Sequence, residues 1–383
     1  MEKTIDECFY KIQNGANIKQ GDVNSGYPIT RIETITNDKF NRDRMGYAGI
    51  TDLSKYKSYV LEDGDLLMSH INSVQYLGRT VLYEKKEDET IIHGMNLLRL
   101  KARKDIINPE YARYCFYGHL FRSQIANITK KSVNQASFSI QDLKKIKVDV
   151  PDIELQKQIV EIFNKVSKII GKRQQELDAF EKLIKARFVE MFGDPVRNTK
   201  MWHTEKLYVI APINKYKGNV DVIDGKVWLL NLDMIESCTG NILGILYEYE
   251  NRITSSTIKF DENCVLYSKL RPYLNKVVIP KMRGYATSEL ISMSAENINK
   301  YFLANLLRQD SFVDFSNSTS YGAKMPRASM DTIKNFDVIM PPIELQNQFA
   351  TFVEQVNKSK VEVKKALDEA QLLFDSLMQK HFG

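Results

Sequence analysis

Two segments of the chain, residues 151–193 and 341–383, carry apolar side chains mostly at steps of three, four or seven residues, with Arg173 filling one gap in the first segment. This spacing places them on one stripe of an α-helix and is the heptad pattern of helices that pair along their length. Prolines stand only at the start of each segment, and Phe-Gly closes each end, which suits a helix start and a helix stop. The pattern therefore predicts two spacer helices of roughly 40 residues and about 60 Å each. The apolar positions are Leu155, Ile159, Ile162, Val166, Ile169, Leu177, Phe180, Ile184, Phe188 and Met191, then Phe349, Phe352, Val356, Val363, Ala370 and Leu377.

The two spacer segments are copies of one another. With an offset of 190 residues, Val148–Gly193 aligns with Val338–Gly383 without a gap, with 14 identities in 46 positions. Both copies open with the motif Pro-x-Ile-Glu-Leu-Gln-x-Gln, at Pro151 and at Pro341. Self-similarity at one fixed offset indicates a tandem duplication.

The segments before the helices have a different pattern, in which short β-type apolar runs alternate with turn residues. Each carries one late helical pattern, at 108–127 and at 297–316. Asp65–Ser69 aligns weakly with Cys264–Ser268, so the duplication extends into these segments. They are predicted to be two similar globules of mixed α and β structure.

The predicted fold is therefore α+β, as a tandem repeat with pseudo-two-fold symmetry. Each globule is followed by a spacer helix, and the two helices are expected to pack antiparallel as a coiled coil. The predicted domains are 1–150 for the first globule, 151–193 for the first spacer helix, 194–340 for the second globule and 341–383 for the second spacer helix.

Charge is almost balanced on the spacer helices. Residues 151–193 hold eight basic and seven acidic side chains, and residues 341–383 hold five and six. Balanced charge makes the helices poor candidates for phosphate contact. Two interpretations remain open and compatible: a coiled coil with a solvated charged face, and a face that binds a protein partner.

Composition adds little to this picture. The net charge of +6 and the pI near 8.8 permit nucleic-acid binding without requiring it. Cys8, Cys115, Cys238 and Cys264 form no close pair of the zinc-binding type, and reduced thiols in a cytoplasmic protein are expected. We expect neither a secretory signal nor a membrane-spanning helix, because MEKTIDECFY lacks a basic region followed by an apolar one and no apolar run reaches membrane-spanning length.

The order globule, helix-start motif, heptad helix and Phe-Gly resembles the specificity subunit of type I restriction–modification systems. The junction RFVEMFGDPVRNTKMW at 187–202 is similar to the junction between the two halves in that family. The resemblance covers the whole chain, and its strength lies in the second occurrence of the motif.

The resemblance implies that each globule is a target recognition domain reading one half of a bipartite site in double-stranded DNA. The helix pair would set the gap between the halves and bind two methyltransferase subunits, and restriction subunits would join the full complex. It also implies that the subunit itself has no catalytic activity.

The sequence offers little support for catalysis. The glycine-rich loop and the Asn/Asp-Pro-Pro-Tyr/Phe element of an adenine methyltransferase are absent, as are a P-loop and HExxH. Asp65 with Glu84 and Lys86 fits a nuclease pattern poorly, because EKKEDE is better interpreted as a charged turn. We expect neither a cofactor nor a bound metal.

Contacts to DNA phosphates need Lys or Arg. Contacts to base edges can come from Lys, Arg, Asn, Gln, Ser or Thr. Two pairs of segments at matching places in the repeat offer such residues, and a charged hairpin at 37–47 is a third candidate. Each candidate also has an interpretation without DNA. The first pair of segments could be mobile surface loops, the second pair solvated strand ends, and the third candidate a charged hairpin tip. A lone histidine such as His70 is more often an ordinary hydrogen-bonding residue. The candidates are Lys130, Lys131, Ser132, Asn134 and Gln135 against Ser320, Tyr321, Lys324 and Arg327; Ser69, His70 and Asn72 against Lys269, Arg271, Tyr273 and Lys276; and Arg42 with Arg44.

Two other functions fit the same sequence. One is a coiled-coil scaffold or adaptor that binds only proteins, for which the basic loops are incidental. The other is a stand-alone DNA-binding regulator that dimerises through its helices.

Overall fold

The computed structural model describes residues 1–19, 23–36, 38–132 and 135–383. The chain divides into two units: the first holds Met1–Lys172 with Leu367–Gly383, and the second holds Arg173–Ala366. The two long helices span Ile153–Phe192 and Ile343–Phe382, 40 residues each. Each long helix therefore begins in one unit and ends in the other.

The first unit is built on a four-stranded antiparallel sheet with two edge sheets and a strand pair. The four strands run in the order Phe9–Asn14, Leu97–Ala102, Leu66–Ser69 and Thr80–Leu82. The smaller sheets are Glu2–Thr4 with Lys147–Asp149, Ile71–Asn72 with Ala136–Ser137 and Lys130–Lys131, and Ile35–Thr36 with Lys39–Phe40. Its short helices are Ile5–Cys8, Pro109–Tyr117, His119–Ile128 and Ile140–Lys145, with 3-10 turns at Ile32–Thr34, Arg42–Arg44, Lys57–Tyr59 and Val74–Tyr76.

The second unit repeats several of these features around different sheets. The larger sheet runs Val222–Ile223, Lys226–Leu230, Gly284–Ala286 and Ile258–Phe260, with Leu246–Tyr249 also paired to Lys226–Leu230. The others are Val277–Val278, Cys264–Ser268 and Leu290–Ser294, and the pair Thr204–Lys206 with Asp337–Ile339. Its short helices are Leu207–Ile210, Lys300–Leu307, Asp310–Ser318 and Met330–Lys334, with 3-10 turns at Leu232–Met234, Glu250–Arg252 and Pro272–Leu274.

Both units close in the same way. In each, the opening strand pairs antiparallel with the strand that precedes a long helix, at Glu2–Thr4 with Lys147–Asp149 and at Thr204–Lys206 with Asp337–Ile339. A one-turn helix follows the opening strand in both, Ile5–Cys8 and Leu207–Ile210. The duplication seen in the sequence is thus present in the order and pairing of the elements.

The late helical pattern of each globule is two helices in the structure, and the sequence predicted only one. In the first unit the break falls at Gly118, whose ψ of 151° is extended. A Cβ at Gly118 would lie 2.4 Å from the Cβ of Phe382, so this glycine lets the end of the second long helix approach the break closely. In the second unit the break falls at Gln309, with ψ of 140°.

The long helices run antiparallel in the second unit, where Phe188 packs on Phe349 with ring centroids 5.5 Å apart and Lys360 pairs with Glu181. In the first unit Phe163 lies 5.3 Å from Phe374. The antiparallel helix pair predicted from the sequence is confirmed within the units.

The predicted heptad positions do not all face the partner helix. Ile159 and Val166 are buried, but Leu155, Ile162 and Ile169 are 42%, 45% and 48% exposed. One partner helix covers only a narrow stripe, and the apolar pattern is wider than that stripe. The excess apolar positions therefore lie on the outer surface of the first long helix.

The four cysteines are free: Cys8, Cys115 and Cys264 are buried and Cys238 is exposed. Burial raises the pKa of the Cys8 thiol to about 11 and that of Cys115 to about 12, which leaves both thiols protonated and unreactive. None of the described helices is both long and apolar enough to cross a membrane.

Candidate nucleic-acid interface

In the first unit, the two segments proposed separately from the sequence form one small sheet. Ile71–Asn72 pairs with Ala136–Ser137, which in turn pairs with Lys130–Lys131. The N–H of Phe138 also donates to the carbonyl oxygen of His70 at 3.2 Å. Segments 60 residues apart in the chain are thereby held side by side as one surface.

The exposed part of this surface carries the basic and amide groups. Lys130, Lys131, Ser132 and Gln135 are exposed, and within the described part of the chain neither lysine has an acidic partner. Ser132 donates its N–H and its hydroxyl to the Gln135 carbonyl, both at 2.8 Å, which joins the adjacent ends of the two strands. Asn134 lies outside the described residues.

The other candidates of this segment lie deeper. Ser69 and His70 are 2% and 6% exposed, and burial lowers the pKa of His70 to about 4. Asn72 is half-buried, donates to Ser69 Oγ at 3.3 Å and accepts from the N–H of Ser73 at 2.8 Å. Ser69 and His70 therefore support the surface from beneath, and Asn72 lies at its edge.

The charged hairpin of the first unit is engaged internally. The Arg42 guanidinium donates to both carboxylate oxygens of Glu89, at 2.8 and 2.6 Å, and to the Glu84 carbonyl at 2.8 Å. This pairing holds the pKa of Glu89 down at about 2. Arg44 is exposed and belongs to the same 3-10 turn, so it remains accessible where Arg42 does not.

In the second unit, the matching segments also converge. Ala328 donates its N–H to the Lys269 carbonyl at 2.8 Å, and Arg271 donates its N–H to the Pro326 carbonyl at 2.7 Å. Tyr321 and Arg327 exchange backbone hydrogen bonds at 3.0 and 2.8 Å, which closes a tight loop around Lys324. Loop 268–276 and loop 318–329 therefore form one surface, as their counterparts do in the first unit.

Arg271 has an unusual backbone in this surface. Its φ of 51° and ψ of 64° lie in the left-handed region, which non-glycine residues rarely adopt and which tends to occur where surrounding contacts impose it. Its Nε is buried without a hydrogen-bond partner. The Arg271 side chain as a whole is half-buried, and it has no acidic partner among the described residues.

The remaining candidates of the second unit differ in availability. Lys324 and Tyr321 are exposed, and Tyr273 is 50% exposed. Arg327 forms an ion pair with Glu289 at 2.9 Å, and Lys276 donates to the Leu232 carbonyl at 2.9 Å. Ser320 donates its hydroxyl to the Asn317 carbonyl at 2.7 Å. Arg327, Lys276 and Ser320 therefore stabilise the loops, while Lys269, Arg271 and Lys324 have no acidic partner among the residues described.

The second unit also has a cluster of basic and aromatic side chains that the sequence analysis did not predict. Lys226 and Arg252 lie over the ring of Tyr249, at 5.0 and 5.4 Å from its centroid, in cation–π geometry. The run YEYENR at 247–252 is the signal that could have indicated it, since tyrosines alternate there with charged residues.

Two buried histidines in the first unit make its stability sensitive to acid. Burial lowers the pKa of His70 to about 4, and burial together with the charge of Arg99 lowers that of His93 to about 3. The unfolded chain takes up these protons near pH 6.5 and the folded one does not. The contribution of these two neutral histidines to the free energy of unfolding is therefore fully present above about pH 6.5. It is lost as the pH falls through their folded-state pKa values of about 4 and about 3.

Denaturant titrations between pH 7.5 and 5 should show this loss. We expect the free energy of unfolding of the first unit to fall by up to about 1.4 kcal/mol per pH unit for each histidine. The variant His93→Leu should reduce that slope. An equal slope in the variant and in the native chain would show that His93 does not contribute.

The fold and these surfaces define a class: a tandem-duplicated α+β protein whose two globules each present a basic loop pair and each continue into a forty-residue helix. The family described as the type I restriction modification DNA specificity domain matches residues 1–179 and 213–370. These two matches cover most of the chain, which therefore belongs to that family.

Individual relatives agree with the family. The chain is 36% identical over 205 residues to a Methanocaldococcus jannaschii protein assigned as the MjaX specificity subunit of a type I restriction enzyme, covering 54% of this chain and 48% of that protein. It is 27% identical over 152 residues to the Escherichia coli EcoDI specificity subunit, covering 39% and 34%. The matched parts thus span about half or less of these curated relatives.

Solved structures show the same fold over the full chain. The crystal structure of the S subunit of a type I restriction–modification system from M. genitalium superposes with a TM-score of 0.60 at 13% identity, covering 100% of this chain and 96% of that one. A chain from a structural study of type I system assembly and conformational transition gives a TM-score of 0.55 at 13% identity, covering 100% and 97%.

Proposed function

We propose that this chain is the DNA-recognition subunit of a type I restriction–modification system and directs methyltransferase subunits to a bipartite site. Residues 1–150 and 194–340 each read one half-site, and the helices 151–193 and 341–383 set the gap. The observation that carries the proposal is the convergence, in both units, of the same two repeat-related segments into a surface with unpaired cations.

The chemistry of the two surfaces fits a DNA duplex. Unpaired lysines bind phosphates and release counterions, which supplies affinity, whereas arginine and amide side chains discriminate base edges in the major groove. Ion-paired or buried side chains are not free for either task. The proposed contacts are Lys130, Lys131, Ser132, Gln135, Asn72 and Arg44 in the first unit, and Lys269, Arg271, Tyr273, Tyr321 and Lys324 in the second.

The long helices are proposed to bind the methyltransferase subunits. Leu155, Ile162 and Ile169 follow one another at steps of seven and are each more than 40% exposed. They form an apolar stripe on a helix whose charges are balanced, which suits a protein partner better than DNA. Restriction subunits would join that assembly, as the family suggests.

We propose further that the chain itself is not catalytic. Asp65, the acidic residue of the nuclease-like pattern, is buried within 3.6 Å of the Arg99 guanidinium. A carboxylate engaged in this way is a poor ligand for a catalytic metal ion. The methyl transfer and any cleavage would belong to the partner subunits.

Co-expression with the methyltransferase subunit of the same system, followed by mapping of methylated bases across the host genome, tests the proposal. The expected result is one two-part motif with a constant gap. Replacing residues 194–340 with the matching globule of another family member should change one half of the motif and leave the other half and the gap intact.

The reciprocal replacement of residues 1–150 is the matched control, and it should change only the other half. A continuous motif, no modified motif, or a change in both halves after a single replacement would contradict the proposal. If the chain is a scaffold that binds only proteins, no modified motif should be found.

A further inference from the structure

The motif that opens each long helix contains two glutamines in opposite environments. Gln156 and Gln346 are 0% and 1% exposed, while Gln158 and Gln348 are exposed. A buried amide destabilises the folded state unless its donors and its acceptor are bonded. The buried pair must therefore have partners, and these partners define what the motif does.

In the first unit Gln156 is bonded to three backbone groups and joins two parts of the chain. Its Oε1 accepts from the N–H of Asn108 at 2.8 Å, and its Nε2 donates to the carbonyls of Ile106 at 2.9 Å and Pro151 at 2.8 Å. Asn108 is the N-cap of helix Pro109–Tyr117. One side chain thus ties the start of the long helix to the start of a helix in the globule.

In the second unit Gln346 makes the same connection. Its Oε1 accepts from the N–H of Asn299 at 2.9 Å, and its Nε2 donates to the Pro341 carbonyl at 2.9 Å. Asn299 is the N-cap of helix Lys300–Leu307. The arrangement therefore occurs twice, with an asparagine N-cap, a proline carbonyl and a glutamine in equivalent places.

We propose that Gln156 and Gln346 are positioning residues that set the orientation of each globule on its long helix, and thereby the gap between half-sites that the protein accepts. This inference rests on the proposed function. It goes further, because it assigns part of the control of the gap to the two junctions and not to helix length alone.

Hydrogen bonds suit this task because they are directional. Apolar contacts at the junction tolerate small rotations, whereas a buried amide bonded to backbone groups loses its partners when the globule turns. A rotation of about 10° over a lever arm of about 20 Å, the scale of such a domain, displaces a loop by about 3.4 Å, one base-pair rise. A small loss of angular restraint at the junction is therefore enough to admit a gap that differs by one base pair.

The test compares Gln156→Met and Gln346→Met with the matched exposed variants Gln158→Met and Gln348→Met. Each full-length chain is co-expressed with its methyltransferase subunit, and methylated bases are mapped across the host genome. Methionine keeps the size of glutamine and removes the hydrogen bonds, so the core stays filled. Unfolding of each purified complex is measured in parallel.

The buried variants should raise the share of modified sites whose gap is one base pair longer or shorter by about tenfold over the native chain. Tenfold corresponds to about 1.4 kcal/mol, the scale of one buried hydrogen bond. Both half-site sequences should stay unchanged, because the loops that read them are not altered. The exposed variants should keep the native gap.

A folded complex of Gln156→Met and of Gln346→Met that retains the native gap alone would overturn this inference, and so would failure of both to fold, since the glutamines would then be purely structural. Neither outcome touches the proposed function. Absence of a two-part motif with the native chain would instead refute the proposed function itself.

Discussion

Simultaneous replacement of Lys130, Lys131, Lys269 and Lys324 by alanine should lower the affinity of the assembled complex for its DNA site by about 10³-fold at 0.15 M salt. Each phosphate contact contributes a slope of about 0.9 to the dependence of log K on log salt. Four contacts therefore contribute about 10³-fold to the association constant at 0.15 M salt, relative to 1 M salt. All four side chains lie on the converging surfaces and lack an acidic partner within the described residues, so folding should be little affected.

The measurement is a salt titration of duplex binding by the complex of this chain with its methyltransferase. The slope of log K against log salt should fall by about 3.6 in the variant. A control chain with alanine at Lys55, Lys57, Lys217 and Lys281, which are exposed lysines outside the two loop pairs, should keep the native slope. Equal losses in both chains would show that the converging loops have no special role.

The helices and the repeat can be predicted from the sequence, because the period of a helix and the match between two segments are both visible in the order of neighbouring residues. Ile159 and Val166 recur at helical steps and are buried as that period predicts. Gln156 and Gln346 stand out through the offset of 190 residues alone. The role of the two glutamines cannot be predicted in this way, since a repeated glutamine gives no indication of whether its side chain is buried.

The candidate DNA-binding surfaces depend on pairing between segments that are far apart in the sequence. The sequence suggested the segment of Ser69 to Asn72 and that of Lys130 to Gln135 as separate candidates, and only the structure shows that Asn72 and Ala136 are paired. The same distance hides the burial of His70 and the bond between Arg42 and Glu89. A period-two pattern specifies which face of a strand is apolar, but not which distant strand lies beside it.

The closure of each unit by the far end of a long helix is a second long-range feature. Phe382 is 5% exposed in the first unit, and its ring centroid lies 5.3 Å from that of Tyr111 and 5.8 Å from that of Phe163. Phe192 is fully buried and lies 4.8 Å from Phe302 and 5.5 Å from Phe349 in the second. The repeated Phe-Gly ending thus supplies one core phenylalanine to each unit.

Phe382→Ala should therefore destabilise the first unit, and Phe192→Ala the second, each by about 3–5 kcal/mol, the usual range for truncating a buried phenylalanine. The chain has two tryptophans, Trp202 and Trp228, and both belong to the second unit. Tryptophan fluorescence therefore follows the second unit alone, whereas circular dichroism follows the helices and sheets of both.

Thermal unfolding monitored by both signals separates the two variants. For Phe382→Ala, part of the circular dichroism transition should move down by roughly 6–20 °C while the fluorescence midpoint stays in place. For Phe192→Ala the fluorescence midpoint itself should fall by a similar amount. If Phe382→Ala lowers the fluorescence midpoint as much as Phe192→Ala does, the two units unfold as one. Destabilising either unit would then unfold both of the proposed DNA-binding surfaces.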